Sequence, residues 1–150
     1  MKVSADFKDF LKLLNEKKVE YLLIGGYAVG YHGYPRPTGD MDIWIRLSNE
    51  NALLAAEALE DFGYAKKEQS LPVLLKPDQI LRMGFPPFRL ELSTGIDGVD
   101  FDDCYADRVF LQIDDVPVTL IALKDLLINK RAAGRLKDLA DVEELEKRNK

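Results

Sequence analysis

The sequence predicts an α/β fold with a small mixed, partly antiparallel sheet. Three observations carry this. Several stretches place apolar residues at the 3.6-residue spacing of an amphipathic helix, the first with Phe7, Phe10, Leu11 and Leu14 at i, i+3, i+4 and i+7. Others are short and apolar or alternate with period two, as do Leu22-Leu23-Ile24 and Asp40-Met41-Asp42-Ile43-Trp44-Ile45. The two kinds interleave, and one pair of strand-like runs is joined by the tight turn Asp114-Asp115.

Taken in order, residues 4–17 form the first helix, with Ser4 as N-cap. The apolar run 22–24 is a buried strand ended by Gly25-Gly26, and a short helix over 28–32 follows with Gly33 as its stop. Residues 34–39, Tyr-Pro-Arg-Pro-Thr-Gly, form a loop. A strand opens at Asp40. Residues 49–62 form a helix with Leu54, Ala58, Leu59 and Phe62 inward, Ser48 or Asn49 as cap and Gly63 as stop. The pattern over 71–75 reads as a short strand and that over 77–81 as a short helix begun by a proline. Residues 88–93 alternate as a strand with Leu90 and Leu92 inward, kept from starting earlier by Pro86 and Pro87. A loop over 96–105 ends in a helical turn at 101–105, and Asp97, Asp100, Asp102 and Asp103 read as solvated acidic surface. Residues 108–113 and 116–120 are two strands that complete the sheet. Residues 122–133 form a helix burying Leu123, Leu126 and Leu127, Gly134 breaks it, and 136–148 form the last helix with Leu139, Val142 and Leu145 inward.

The length of 150 residues suits one domain over 1–150. Acids exceed bases, 26 against 21, and the net charge of -5 argues against a chain that binds nucleic acid through overall basicity. The single cysteine, Cys104, has no intrachain partner, which with the lack of a signal-peptide pattern points to a cytoplasmic protein. No run approaches the roughly 20 apolar residues of a membrane span, so no membrane role is expected.

The chemistry concentrates between Tyr21 and Arg46. Asp40 and Asp42 share one face of their strand, opposite Met41, Ile43 and Ile45. Two neighbouring carboxylates repel unless a proton or cation lies between them. An all-oxygen pair suits Mg²⁺ or Mn²⁺. A Gly-Gly turn before a helix exposes backbone N–H groups that suit phosphate. The two halves together suggest a metal-bound nucleoside triphosphate.

This stretch resembles the nucleotidyltransferases of the DNA polymerase β superfamily. Their signature is a Gly-Gly or Gly-Ser turn, a spacer, and an acid-hydrophobe-acid triplet opening a strand. Here these are Gly25-Gly26, residues 27–39 and Asp40-Met41-Asp42. The closer likeness is to the small bacterial branch that includes AbiEii-type toxins, whose Arg-x-Thr-x-Asp-x-Asp string is matched by Arg36, Thr38, Asp40 and Asp42. A second string of the branch is matched by Lys130, Arg135, Asp138 and Asp141, and the likeness runs from the first helix to the last.

The resemblance implies a nucleotidyltransferase-like sheet with helices mainly on one face, and transfer of an NMP from an NTP to an acceptor hydroxyl with release of pyrophosphate. It implies Asp40, Asp42 and Glu91 as catalytic metal ligands for Mg²⁺ or Mn²⁺. Glu91 fills the hydrophobe-acid-hydrophobe position of the third carboxylate. Gly25, Gly26, Arg36, Thr38, Lys130 and Arg135 would contact the substrate. Asp138, three residues from Arg135, would hold that guanidinium in place, with Asp141 beside it in the supporting layer. The acceptor stays open among tRNA, protein and small molecule, and an antitoxin partner and a homodimer stay open as well.

Two positions depart from the pattern. Tyr27 stands where many members carry Ser, and Glu91 where small members more often carry Asp. Both departures, with the small size, keep a second reading open: a nucleotide-binding or regulatory module without turnover. A third is the toxin half of a toxin–antitoxin pair. Plainer readings also stand. Lys130, Arg135, Asp138 and Asp141 also fit an exposed salt-bridge ladder. Trp44 shares the acids' face and suits base stacking or covering of the sheet edge. Tyr27, Tyr31 and Tyr34 read as packing. His32, the lone histidine, reads as a cap or packing residue.

Overall fold

The computed structural model describes residues 3–85 and 88–150. Pro86 and Pro87, expected to delay the start of a strand, lie outside the described residues. Among those described, the elements run α1 (Ala5–Glu16), β1 (Tyr21–Ile24), α2 (Gly25–Tyr31), β2 (Asp40–Ile45), α3 (Asn49–Phe62), α4 (Lys67–Leu74), β3 (Ile80–Phe85), β4 (Phe88–Ser93), α5 (Phe101–Ala106), β5 (Val109–Ile113), β6 (Val116–Leu120), α6 (Leu123–Ala133) and α7 (Leu136–Arg148). No helix among them is long and apolar enough to cross a membrane.

The strands form one mixed sheet in the order β3-β4-β2-β1-β6-β5. The pairs β2/β4 and β1/β6 are parallel, and the other three are antiparallel. The β5–β6 hairpin turns at Asp114, with φ 57°, and extends the sheet beside β1, as its sequence suggests. Every residue of β1 is buried, so the centre of the sheet is covered on both faces.

Caps and periodicity place the helices. The Ser4 hydroxyl accepts the Phe7 N–H, and α1 buries Phe7, Phe10, Leu11 and Leu14. The Ser48 hydroxyl accepts the Asn51 N–H, and Gly63 closes α3. Phe10 packs edge-on against Phe62 of α3, at 5.5 Å between ring centres. Burying apolar side chains of this size contributes about 2 kcal/mol each, which is how α1 and α3 hold to each other and to the sheet.

Four local expectations are corrected. Residues 71–74 belong to helix α4, not a strand, and Leu75 is its C-cap. Ser70 and Leu74, four apart, share its buried face, and a short apolar run fits either element. Residues 77–81 form no helix. Asp78 takes φ 55° in a turn, and β3 starts at Ile80. The Gln79 N–H donates to the Thr94 hydroxyl at 2.9 Å, tying that turn to the end of β4. Leu139 is 45% exposed rather than inward. The inner face of α7 is instead set by Asp138, Asp141, Val142 and Leu145, because two acids there have buried partners. Leu54 and Phe62 are only half-buried, the inner face of α3 being taken by Ala52, Ala55, Ala56, Ala58 and Leu59.

Candidate functional site

The site forms where β1, β2 and β4 run side by side. Antiparallel pairing sets Ile24 opposite Asp42, and parallel pairing sets Asp42 opposite Glu91 and Asp40 opposite Arg89. Asp40, Asp42, Arg89 and Glu91 therefore share one face. The outer strand β3 adds Arg82 opposite Glu91.

The two glycines are demanded by close packing. The helix α2 starts directly from β1 at Gly25, which takes φ 66°. A Cβ on Gly25 would overlap the Asp42 carboxylate, and one on Gly26 would sit 2.8 Å from the Thr38 hydroxyl. The glycines let the strand-to-helix junction lie flat against Asp42 and the loop that follows. The first N–H groups of a helix lack partners within it, so this approach also leaves polar backbone beside the acids. His32 ends α2 by bonding its ring nitrogen to the Ile121 carbonyl at 2.8 Å, the packing role expected of it.

The three carboxylates differ. Burial, then the hydrogen bond and charge of neighbouring Glu91, push the Asp42 carboxyl up to about 7. At Glu91 burial is outweighed by the hydrogen bond from Asp42 and by Arg82, which hold its carboxyl below the usual range. The two carboxyls are thus pushed apart, Asp42 upward and Glu91 downward. Arg82 Nε donates to Glu91 Oε1 at 2.7 Å, and Arg89 Nη2 donates to Asp40 Oδ2 at 3.0 Å. Neither arginine was singled out by sequence. Arg89 was legible as a face-mate of Glu91, but Arg82 depends on β3, which the sequence did not reveal.

A second network lies against the first. Lys130 of α6, only 6% exposed, sits 3.3 Å from Asp138 and 3.2 Å from Asp141 of α7. Arg135 grips Asp138 with two bonds, at 2.6 and 3.2 Å, as its three-residue spacing suggests. Arg36, from the loop before β2, grips Asp141 with two bonds, at 3.0 and 2.8 Å. The ladder reading does not hold for Lys130, Asp138 and Asp141, which are buried, while Arg135 lies at the surface. Lys130 is a cation already flanked by two carboxylates, and Arg36 is a strut between the loop and α7.

The other aromatic residues lie away from this face of the cleft. Trp44 is 2% exposed and packs edge-on against Phe101 of α5, 5.0 Å between centres, so it neither stacks in the cleft nor covers an edge. Tyr27 packs on Phe7, and Tyr34 lies under the Arg148 guanidinium. Tyr31 departs from the packing reading, being 44% exposed. Of the acidic loop, Asp100 caps α5 and Asp102 pairs with Arg46.

A cavity of about 550 Å³ joins these parts. Gly25, Gly26, Thr38, Asp42, Glu91 and Lys130 are among its walls. Among the described residues, no three His, Cys, Asp or Glu side chains are gathered as a ready metal cluster. Asp40 and Glu91 each spend an oxygen on an arginine. The donor set nonetheless fits a hard cation. It is all oxygen, and Asp42 Oδ1 is buried with no hydrogen-bond partner among the described residues. Asp42 and Glu91 could hold such an ion, with Asp40 beside them on the same face.

Solved structures share this architecture. A Thermotoga maritima protein assigned as a nucleotidyltransferase superposes with a TM-score of 0.59 at 15% identity, over 94% of this chain and 88% of its own. The fold is that of the nucleotidyltransferases. The lincosamide antibiotic adenylyltransferase LnuA, solved with lincomycin bound, gives 0.59 at 16% identity, covering 96% of each chain. An antigenic nucleotidyltransferase-like protein from Paracoccidioides brasiliensis gives 0.55 at 19%, over 95% of this chain and 77% of its own. No family model and no curated protein sequence matches the chain. In this nucleotidyltransferase fold, the carboxylate face opens into the cleft beside the β1–α2 junction.

Proposed function

We propose that the chain transfers an NMP from an NTP to an acceptor hydroxyl. The observation that carries this is the Asp42–Glu91 pair: two facing carboxylates, one with an unpaired buried oxygen, packed on Gly25 in a nucleotidyltransferase fold. The acceptor oxygen attacks the α-phosphorus and forms the new P–O bond. The bond from that phosphorus to the α–β bridging oxygen breaks, pyrophosphate leaves with the electron pair, and the hydroxyl proton is lost to solvent. Mg²⁺ or Mn²⁺ held by Asp42, Glu91 and Asp40 would neutralise charge on the phosphates.

The chain's own residues bind and orient. Gly25 and Gly26 offer backbone N–H groups to the phosphates, and Thr38 closes that side. Lys130 contributes charge from behind, fixed by Asp138 and Asp141. Arg135 holds its donors at the cleft mouth. The strings Arg36–Asp42 and Lys130–Asp141 support placement in the AbiEii-like branch. A toxin role predicts growth arrest on expression that Asp42→Ala abolishes.

One observation favours a module without turnover: Arg89 and Arg82 already neutralise Asp40 and Glu91. Calorimetric titration of the four NTPs, with and without Mg²⁺, decides first whether the site works. Mg²⁺-dependent binding by the parent, lost in Asp42→Asn, supports the proposal. Equal binding by both ends the carboxylate-site reading. Nucleotide binding without pyrophosphate release favours the module.

A further inference from the structure

The two edges of the sheet differ in character. β3 forms one of them. It carries Arg82, and Gly84 takes φ 90°, far from the extended range, and both features discourage a further strand from pairing there. β5 forms the other edge. Its five residues, Val-Phe-Leu-Gln-Ile, include no charge, proline or glycine, and no strand covers its outer side among the described residues.

The β5–β6 register determines which backbone groups face outward. Asp114 and Asp115 form the turn, and Ile113 pairs with Val116. Hairpins with so short a turn close on a hydrogen-bonded pair, and bonded pairs then alternate with unbonded ones. Val109, Leu111 and Ile113 therefore bond inward to β6, while Phe110 and Gln112 turn their N–H and C=O groups outward. Pro117 agrees with this parity, since it lies opposite Gln112 and has no N–H to give.

The side chains add an anchor and a charge pattern. The Phe110 ring is 70% exposed. The Arg108 guanidinium lies 4.7 Å over that ring and 3.9 Å over Tyr105, and its Nη1 donates to the Tyr105 carbonyl at 2.7 Å. Asp107 is taken by Lys124, which leaves Arg108 without a carboxylate partner among the described residues. At the other end Lys8 bonds Asp114 at 2.6 Å, and Asp115 has no ion-pair partner among the described residues. The edge is thus positive where β5 begins and negative where it ends.

We infer that β5 is the docking edge for a second copy of this chain, paired antiparallel about a twofold axis at Leu111. In that register Phe110 faces the partner's Gln112, Leu111 faces the partner's Leu111, and Arg108 faces the partner's Asp114. The outward N–H and C=O groups of both chains are satisfied. The two Phe110 rings meet diagonally across the axis, within reach of aromatic side chains. A twofold interface uses one patch twice, so the match of Arg108 with Asp114 recurs at both ends. A parallel arrangement would instead set arginine on arginine and acid on acid. Because β1 and β6 separate β5 from β2 and β4, both clefts stay open. The inference is independent of the transfer reading.

The test is sedimentation velocity on the full chain, reduced, over a dilution series. The parent is expected to pass from the mass of one chain to that of two as concentration rises. Gln112→Pro removes an outward N–H and no bond to β6. Phe110→Asp sets two carboxylates across the axis. Each should weaken association roughly tenfold or more, with a urea midpoint near that of the parent. Arg108→Gln should weaken it less and remove its sensitivity to salt. Leu111→Cys reports the axis. On mild oxidation it should give a disulfide-linked dimer, because facing residues of such a pair lie within the roughly 4.4–6.8 Å between α-carbons that a disulfide spans. Lys147→Cys, exposed on α7, should not. Cys104 is 1% exposed and stays out of the exchange.

A parent that remains one chain at every concentration overturns the inference. So does a dimer that survives both Gln112→Pro and Phe110→Asp, since its interface lies elsewhere. Association lost in both variants, but with no cross-link through Leu111→Cys, overturns the twofold register. Should Gln112→Pro fail to fold, Phe110→Asp decides alone.

Discussion

Asp42 and Glu91 face each other across the parallel β2–β4 ladder, and burial with the facing Glu91 raises the Asp42 carboxyl to about 7. The arrangement gives the fold a pH signature. The folded-state value of Asp42 is raised above its unfolded value, so its contribution is fully present below about pH 4 and is lost as pH rises through about 7. Asn imitates the protonated acid and can donate to Glu91 at any pH. Asp42→Asn should therefore gain on the parent between pH 5 and pH 8, by on the order of 2 kcal/mol. Urea melts at both values test this, and a gap that does not grow with pH refutes the raised Asp42 carboxyl.

Gly25 is held by two independent constraints, a positive φ of 66° and the Asp42 carboxylate against its α-carbon. Gly25→Ala should cost roughly 2–3 kcal/mol and displace Asp42, so metal-dependent nucleotide binding should fall as well. Gly63→Ala is the comparison, since Gly63 has positive φ but open space around it. It should cost about 1 kcal/mol and leave nucleotide binding alone. Equal costs at the two positions would rule out the carboxylate contact.

Most of the fold was legible because caps, glycine stops and period-two alternation are local. Ser4, Ser48, Gly63 and the Asp40–Ile45 alternation each signal an element from within a few residues. The misread segment, residues 64–85, lacks such signals: Leu71–Leu75 suits either element, and β3 is a mostly exposed outer strand, its identity set by pairing with β4. Within the site, Asp40, Asp42 and Glu91 were legible as alternating acids. Their arginine partners were not, since Arg82 reaches Glu91 only through cross-strand register. Leu139 was read as inward on hydrophobicity alone. Asp138, wholly buried, takes that face because Lys130 and Arg135 compensate its charge.

Trp44 tests the separation of cleft from core. Its ring packs on Phe101, and its Nε1 is buried without a partner among the described residues. Trp44→Phe gives up part of the buried volume but removes an unsatisfied donor, two effects of opposite sign. The net cost should be about 1–2 kcal/mol, with Mg²⁺–NTP affinity unchanged. A loss of nucleotide affinity larger than the loss of stability would return Trp44 to the cleft as a base-stacking residue.

Lys130 holds together what the two final helices bring to the site. It sits between Asp138, wholly buried, and Asp141, 3% exposed, with Arg135 and Arg36 on their far sides. Lys130→Met keeps much of the volume and removes the central charge, leaving two buried acids short of a partner. The cost should be about 3 kcal/mol at pH 7. The sign of its pH dependence is opposite to that of Asp42. Against the opposing effect of burial, Arg135 and Lys130 hold the Asp138 carboxyl below its ordinary value. Its stabilising contribution is therefore present above about pH 4 and lost as pH falls through the folded value. The deficit of Lys130→Met should shrink from pH 7 toward pH 4, as Asp138 without Lys130 takes up a proton more readily. Melts at the two values check this. A deficit that stays constant would mean that Lys130 acts through packing of its aliphatic stem and not through its charge.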